Sequence, residues 1–192
     1  MTSRERILAA ARAEFAELGI AGARVGTIAK NAQINKERLY AYFGNKEGLF
    51  EAVLAQSFSQ LSAEVSLPST EEELFAYAGL VFDFHYRNPE FTRLLAWESL
   101  HYGSSALPHE ASRRSYYSEK MREVSGALGS SAEAGALILT LIGLAAWPIL
   151  MAPLSRHLLG LEPGEAIDPV FMKESVLHSA RAVISAHLAP AG

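Results

Sequence analysis

Between positions 36 and 42 the chain carries Lys36, Glu37, Arg38, Tyr40, Ala41 and Tyr42. None of these types, at this spacing, forms a nucleophile–base pair or a metal set. Together they form a hydrogen-bonding alphabet. A Lys or Arg pairs with guanine O6 and N7, a Glu accepts from cytosine N4, and a methyl group meets the thymine methyl. A helix destined for a core would not carry the cations, and one destined only for solvent would not carry the aromatics. At about 100° per residue, Leu39 and Phe43 fall on one side of a helix and Glu37, Arg38, Ala41 and Tyr42 on the other, with Lys36 and Tyr40 on the flank. The plainer alternative is a solvated surface helix with two snorkelling tyrosines.

The elements that must position this face are short. Asn35 is a strong N-cap type, so the helix is expected from Asn35 to about Tyr42. Lys36 then occupies the first helical position, where the helix dipole disfavours a cation by roughly 0.3–1 kcal/mol. Folding alone gives no reason for that choice, whereas a phosphate does. Residues 25–32 read as a preceding short helix, Gln33 and Ile34 as a tight turn, and 3–18 as a first amphipathic helix capped by Thr2 or Ser3 with Gly19 past its end. Gly44 and Asn45 turn the chain into a helix from about Lys46 to Leu61. A short helix, a tight turn and a second helix with readable side chains near its N-terminus is the logic of the helix-turn-helix.

Charge supports the same end of the chain. Residues 1–46 hold eight Lys/Arg against four Glu, and the remainder holds nine basic against seventeen acidic residues, which together give the net −4. A basic end on an acidic body suits a local polyanion contact. The 192 residues contain no cysteine, which excludes disulfides, zinc-thiolate sites and thiol catalysis. The opening residues show no secretory signal, and a cytoplasmic protein is expected.

Downstream the pattern stays helical. Pro68-Ser69-Thr70 breaks it and Thr70 caps a helix to about Asn88. Pro89 opens another over 90–101, 102–110 is a loop, and helices are expected over 111–127, 131–152 and 169–188 with GLEPGEAIDP joining the last two. The segment 134–155 has 22 residues without a charge, long enough to span a membrane. Pro148 and Pro153 in its last third and the absence of a polybasic flank favour a buried helix or a dimer interface. His residues 85, 101, 109, 157, 178 and 187 are scattered, and no H-E-x-x-H, P-loop or G-x-S-x-G motif occurs. No enzyme, metal site or cofactor is expected.

The run TIAKNAQINKERLYAYFGNKEGLF over 27–50 resembles the signature of TetR-family transcriptional regulators, roughly I-A-x-x-A-G-V-[S/N]-K-x-x-[L/I]-Y-x-[Y/H]-F-x-x-K-x-x-L. The likeness covers about residues 5–55, with Phe15 and Gly19 in the family's F-x-x-x-G position. It implies an all-α fold: an N-terminal three-helix helix-turn-helix domain over 1–46, joined by helix 46–62 to a larger helical-bundle ligand-binding and dimerisation domain over 47–192, about nine helices in all. It implies that Lys36, Glu37, Arg38 and Tyr42 face the major groove, with Asn35 beside them, and that Tyr40, Lys46, Arg24 and Thr27 hold phosphates. Gln33 stands where the family usually has Gly, Arg24 where it usually has a Ser/Thr cap, and Glu37 where Gly is common.

The resemblance also implies an inducer cavity in the C-terminal domain. Aromatic density over 75–102 and later makes Phe84, Trp97, Glu98, His101, Tyr116, Trp147 and Met151 the candidates for lining it, although most aromatics there serve a core. A homodimer through helices 131–152 and 169–188 would read a near-palindromic operator. The expected function is a ligand-responsive repressor released by a small, largely apolar inducer. The alternatives are a DNA-binding protein controlled by a protein partner without a small ligand, and a membrane-attached helical protein using 134–155.

Overall fold

The computed structural model describes residues 1–108, 110–128 and 130–189; for residues 112, 116, 120, 123, 126–128 and 131 it describes the backbone alone. Among the described residues the chain is all-α, with ten helices: α1 (Ser3–Gly22), α2 (Val25–Asn31), α3 (Lys36–Phe43), α4 (Lys46–Glu64), α5 (Glu71–Arg87), α6 (Pro89–Tyr102), α7 (Glu110–Leu128), α8 (Ser131–Leu150), α9 (Ala152–Leu158) and α10 (Pro169–Leu188). They divide into two compact units, residues 1–63 with 90–108, and residues 64–89 with 109–192. The expected boundary after residue 46 falls inside the first unit.

Local chemistry sets the helix starts. Thr2 and Glu5 form a reciprocal capping box on α1, and Ser130 and Glu133 form another on α8. Thr70 accepts from Glu73 N–H on α5. Glu73 in turn accepts from the backbone N–H and hydroxyl of Ser69, and these bonds hold its carboxyl below the usual range, the Ser69 backbone bond most of all. Asp168 caps α10, with Pro169 in the first turn where its missing N–H costs nothing.

The first unit is built on an apolar cluster from α1, α2, α3, α4 and α6. Ile7, Leu8, Phe15, Ile28, Leu39, Leu49, Phe50, Val53 and Leu94 are all fully or almost fully buried in it. Phe15 meets Phe50 edge-on at 5.1 Å and Phe58 meets Phe91 at 5.4 Å, within the favoured range for aromatic pairs. Regular helical dihedrals stop at Gly19, which adopts φ 68° and ψ 178°; helical turns resume after it as far as Gly22. The break is held from outside. The Trp97 indole of α6 lies against Gly19, its Nε1 donates to Ala16 O at 3.3 Å, and the Arg93 guanidinium donates to Glu17 O at 3.2 Å.

In the second unit α5 packs on α8 and α10, α7 packs on α8, and α8 also meets α9 and α10. Gly79 lets α10 close on α5; a Cβ there would stand 3.1 Å from Leu177 Cδ2. Lys173 of α10 pairs with Asp83 of α5 at 2.6 Å. The α8 helix differs from the expected buried helix. Ala134, Leu137, Ile138, Leu141 and Ala145 are buried, while Ala136, Leu139, Thr140, Gly143 and Trp147 on its other side are exposed. It is long and apolar enough to cross a membrane by length and composition, yet it packs against α5, α7 and α10 along its inner face. The expected single helix 131–152 also ends at Leu150. Pro148 lies inside α8, and the chain restarts as α9, a helix the periodicity had not separated.

Candidate nucleic-acid interface

The α3 helix begins where its cap places it. Asn35 Oδ1 accepts from Arg38 N–H at 2.9 Å, and Lys36 is the first helical residue. Leu39 is fully buried and Phe43 is half-buried against the same cluster. Lys36, Glu37, Arg38, Tyr40, Ala41 and Tyr42 are all exposed. Two i, i+4 rows therefore run along the free face, Glu37 with Ala41 and Arg38 with Tyr42. The two tyrosines expose 43% and 45% of their surface, so their phenols are free to reach a partner.

The turn that aims α3 depends on a non-glycine residue in the left-handed region. Gln33 has φ 55°, and Ile34 N–H reaches back to Ala29 O at 3.0 Å. Across this turn Lys36 folds toward α2. A Cβ on Gly26 would lie 3.1 Å from Lys36 Cε and 3.4 Å from its Nζ, so the glycine makes room for the lysine. Arg24 stands at the N-cap of α2 with an exposed side chain and no side-chain cap bond. Its backbone N–H donates to Glu14 Oε1 at 3.0 Å instead. Thr27 is half-buried in the first turn of α2. Lys46, at the start of α4, is half-buried and donates to Ala21 O at 3.4 Å, which ties α4 to the end of α1.

All nine residues expected at a DNA face therefore lie in the first unit, on α2, α3, their caps and the start of α4. Sequence reasoning had not singled out Arg4 or Gly48. The Arg4 guanidinium carbon sits 5.6 Å from the Phe43 ring centroid, close enough for a cation–π contact at the end of α3. Gly48 is required by the turn into α4: a Cβ there would lie 2.4 Å from Phe43 O. Asn45 supplies the cap of that turn by accepting from Gly48 N–H at 2.7 Å. The signal for Gly48 was local, a Gly-Asn pair with a second glycine three residues after the asparagine; nothing local marks Arg4.

The seven residues expected to line a ligand cavity are divided between the units. Trp97, Glu98 and His101 belong to α6 in the first unit, where Trp97 packs on Gly19, Glu98 is buried and His101 is exposed with its ring edge-on to Tyr102 at 4.8 Å. Phe84, Trp147 and Met151 belong to the second unit. Phe84 is buried in α5, Trp147 is 55% exposed on α8, and Met151 is half-buried at the α8 C-cap. The Tyr116 side chain lies outside the described residues. None of the other six lines the open groove of about 390 Å³ in the second unit, formed among the described residues by Phe82, Asp83, Tyr86, Pro169, Val170, Lys173, Glu174 and Leu177. Two polar groups on the buried side of α5 feel their surroundings. Burial pushes the His85 pKa down to about 4, and burial, with a smaller contribution from Tyr117, pushes Tyr77 up.

Among the described residues no cluster of His, Asp or Glu is arranged to hold a metal ion. A buried leucine anchors a short helix whose opposite face exposes cations, an acid, phenols and a methyl.

Residues 7–53 match the family described as bacterial regulatory proteins, tetR family. Residues 73–163 match the tetracyclin repressor-like C-terminal domain. The HTH-type transcriptional repressor SCO4008 of Streptomyces coelicolor is 35% identical over 187 residues, which cover 95% of each chain. Among solved structures, the transcriptional regulator SCO4942 of the same organism is similar with a TM-score of 0.76 at 28% identity, over 94% of this chain and 97% of that one. AibR, solved in complex with isovaleryl coenzyme A and operator DNA, shares the fold with a TM-score of 0.68 at 14% identity, over 93% and 97% of the two chains. The chain belongs to the TetR family and is a DNA-binding transcriptional regulator, not an enzyme.

Proposed function

We propose that the protein is a cytoplasmic repressor that binds a near-palindromic operator as a homodimer and leaves it when a small, largely apolar inducer binds the second unit. The observation that carries the DNA-reading part is the exposed face of α3, where Glu37, Arg38 and Tyr42 point away from a buried Leu39 and Lys36, also exposed, lies on the flank beside α2. Side chains near the N-terminus of such a helix reach base edges, and flanking groups fix the register on phosphates. Tyr40, Lys46, Arg24 and Thr27 are assigned that second role. Repression as the sign of control is supported by the similarity to SCO4008, itself a repressor.

Dimerisation is assigned to the outer face of α8 together with α10. Leu139 and Trp147 are 70% and 55% exposed, and Val170 and Phe171 are 63% and 50% exposed. Apolar surface of this extent on two neighbouring helices calls for cover. A C2 dimer supplies it and matches operator symmetry. The inducer reading draws on the match to the C-terminal domain of the family. It also draws on AibR, a protein of this fold solved with an acyl thioester and operator DNA. An inducer acts by binding the DNA-free arrangement more tightly than the DNA-bound one.

Selection of bound duplexes from a random library at moderate salt tests this directly. An enriched inverted repeat supports dimeric, base-specific reading, and that duplex then serves to screen apolar acids, thioesters and neutral ligands for release. Binding that fades with salt and enriches nothing would reduce α3 to an electrostatic contact. Control by a protein partner instead of a ligand predicts the same selected repeat but no small molecule that releases it.

A further inference from the structure

The acid on α3 is the feature that DNA binding alone does not account for. We infer that Glu37 is the base-selecting residue of the helix: it takes cytosine at the position it faces, through the N4 amino group, and excludes guanine and thymine there. The inference rests on the proposal that α3 reads DNA and names what one of its residues reads.

Glu37 is exposed, and its carboxylate forms no ion pair with Lys36 or Arg38 on either side of it. It therefore meets DNA as an open negative charge. An ionised carboxylate has only acceptor oxygens. Opposite phosphates it is repelled, so its presence weakens sequence-independent binding. Among the bases, guanine presents only acceptors in the major groove, N7 and O6. Thymine presents O4 and a methyl group. Adenine presents its N6 amino group beside the N7 acceptor, and cytosine presents N4 with no acceptor of its own beside it. A carboxylate thus gains a hydrogen bond at cytosine, a compromised one at adenine, and repulsion at guanine and thymine. Attraction at one base and repulsion at the others is how a single side chain creates a large difference in affinity.

The geometry extends the reading. Ala41 follows Glu37 by one turn on the same exposed row, about 6 Å further along the helix. That advance equals roughly two base-pair steps of about 3.4 Å. A cytosine read by Glu37 is then accompanied by a thymine, whose methyl meets Ala41, about two steps away. The competing account is structural: an acid in the first turn of α3 complements the helix dipole. That role acts on folding and has no base preference, so the two accounts part at the sequence of the selected DNA.

Duplex selection with the full-length protein, Glu37→Gln and Glu37→Ala decides between them, with circular dichroism confirming that each variant is folded. The wild type should enrich an inverted repeat with one cytosine per half-site, preferred about tenfold or more over other bases. Glu37→Gln, which keeps the size but adds a donor, should move that position toward adenine. Glu37→Ala should flatten the same position while leaving the rest of the half-site intact, and should bind unrelated duplexes more tightly at low salt. Both variants enriching the wild-type half-site unchanged would overturn the assignment to Glu37 while leaving DNA reading by α3 in place. No enriched repeat with the wild type would overturn both.

Discussion

Replacing Gly19 by alanine should destabilise the first unit far more than a single methyl group at a helix end normally does. Two costs combine. At φ 68° and ψ 178° the backbone sits in a region used almost only by glycine, where a side chain costs about 1–3 kcal/mol. The added Cβ would also stand 2.7 Å from Trp97 Cδ2 and Cε3 and 3.2 Å from Cε2. A packed indole that also donates to Ala16 O at 3.3 Å cannot withdraw freely, and overpacking of this kind costs about 1–3 kcal/mol. The smaller conformational freedom of alanine in the unfolded chain offsets about 0.4–1 kcal/mol. The net is a loss of about 1–6 kcal/mol, and at about 2–4 °C per kcal/mol for a chain of this size it lowers Tm by about 2–20 °C, with the middle of both ranges at about 3 kcal/mol and about 10 °C. Urea and thermal denaturation of the purified protein measure it. The double variant Gly19→Ala/Trp97→Ala separates the terms, because removing the indole relieves the clash and leaves the backbone strain. A loss for Gly19→Ala below about 0.5 kcal/mol would mean that α1 runs straight through residue 19, and the account of how α6 holds the end of α1 would fall with it.

Gln33→Gly should go the other way: relief of a left-handed non-glycine residue at φ 55°, worth about 1–2 kcal/mol, outweighs the entropy cost of glycine, about 0.5–1 kcal/mol. Melting should show a gain of up to about 1.5 kcal/mol, and a lower Tm would contradict that turn geometry. His85 is neutral in the fold, with its pKa down to about 4 from 6.5, so its contribution is complete above pH 6.5 and is lost as pH falls toward 4. That difference is worth about 3 kcal/mol at 1.36 kcal/mol per unit; unfolding curves of wild type and His85→Phe across this window should diverge, and parallel curves would show that His85 is not the group responsible. Leu139→Glu, on the exposed side of α8, should leave the single-chain fold intact and shift sedimentation to the monomer, whereas an unchanged dimer would move the interface off α8.

The reading helix was legible because its signals are local and agree. A cap residue, a helical period and one buried leucine fix which side faces out, and Glu37, Arg38, Ala41 and Tyr42 are exposed as the wheel requires. The left-handed turn at Gln33 was foreseeable only from the resemblance, since nothing in a glutamine demands positive φ. The short α9 was hidden for the opposite reason. Pro148 reads as a break, yet it lies within α8, and Ser155 Oγ donates to its carbonyl at 3.1 Å. The chain breaks instead at Met151, and Pro153, which reads equally well as a break, stands in the first turn of the new helix.

What sequence pattern does not carry is the partner of an apolar face. Trp97 has the composition of a pocket residue, aromatic and next to a buried acid, and the periodicity of α6 states that one side is covered. It does not state by what. The structure covers it with the end of α1, through a glycine far away in sequence whose missing side chain makes the contact possible. The same ambiguity governs α8. Twenty-two uncharged residues fit a membrane, a core or a partner subunit equally well by composition. Packing narrows the choice: α8 gives one face to α5, α7 and α10 and leaves an apolar outer face exposed. Lipid surrounds a helix on every side it does not share, whereas a second copy of the same helix needs a stripe with small residues for close approach. The exposed row Ala136, Leu139, Gly143 and Trp147 has that form.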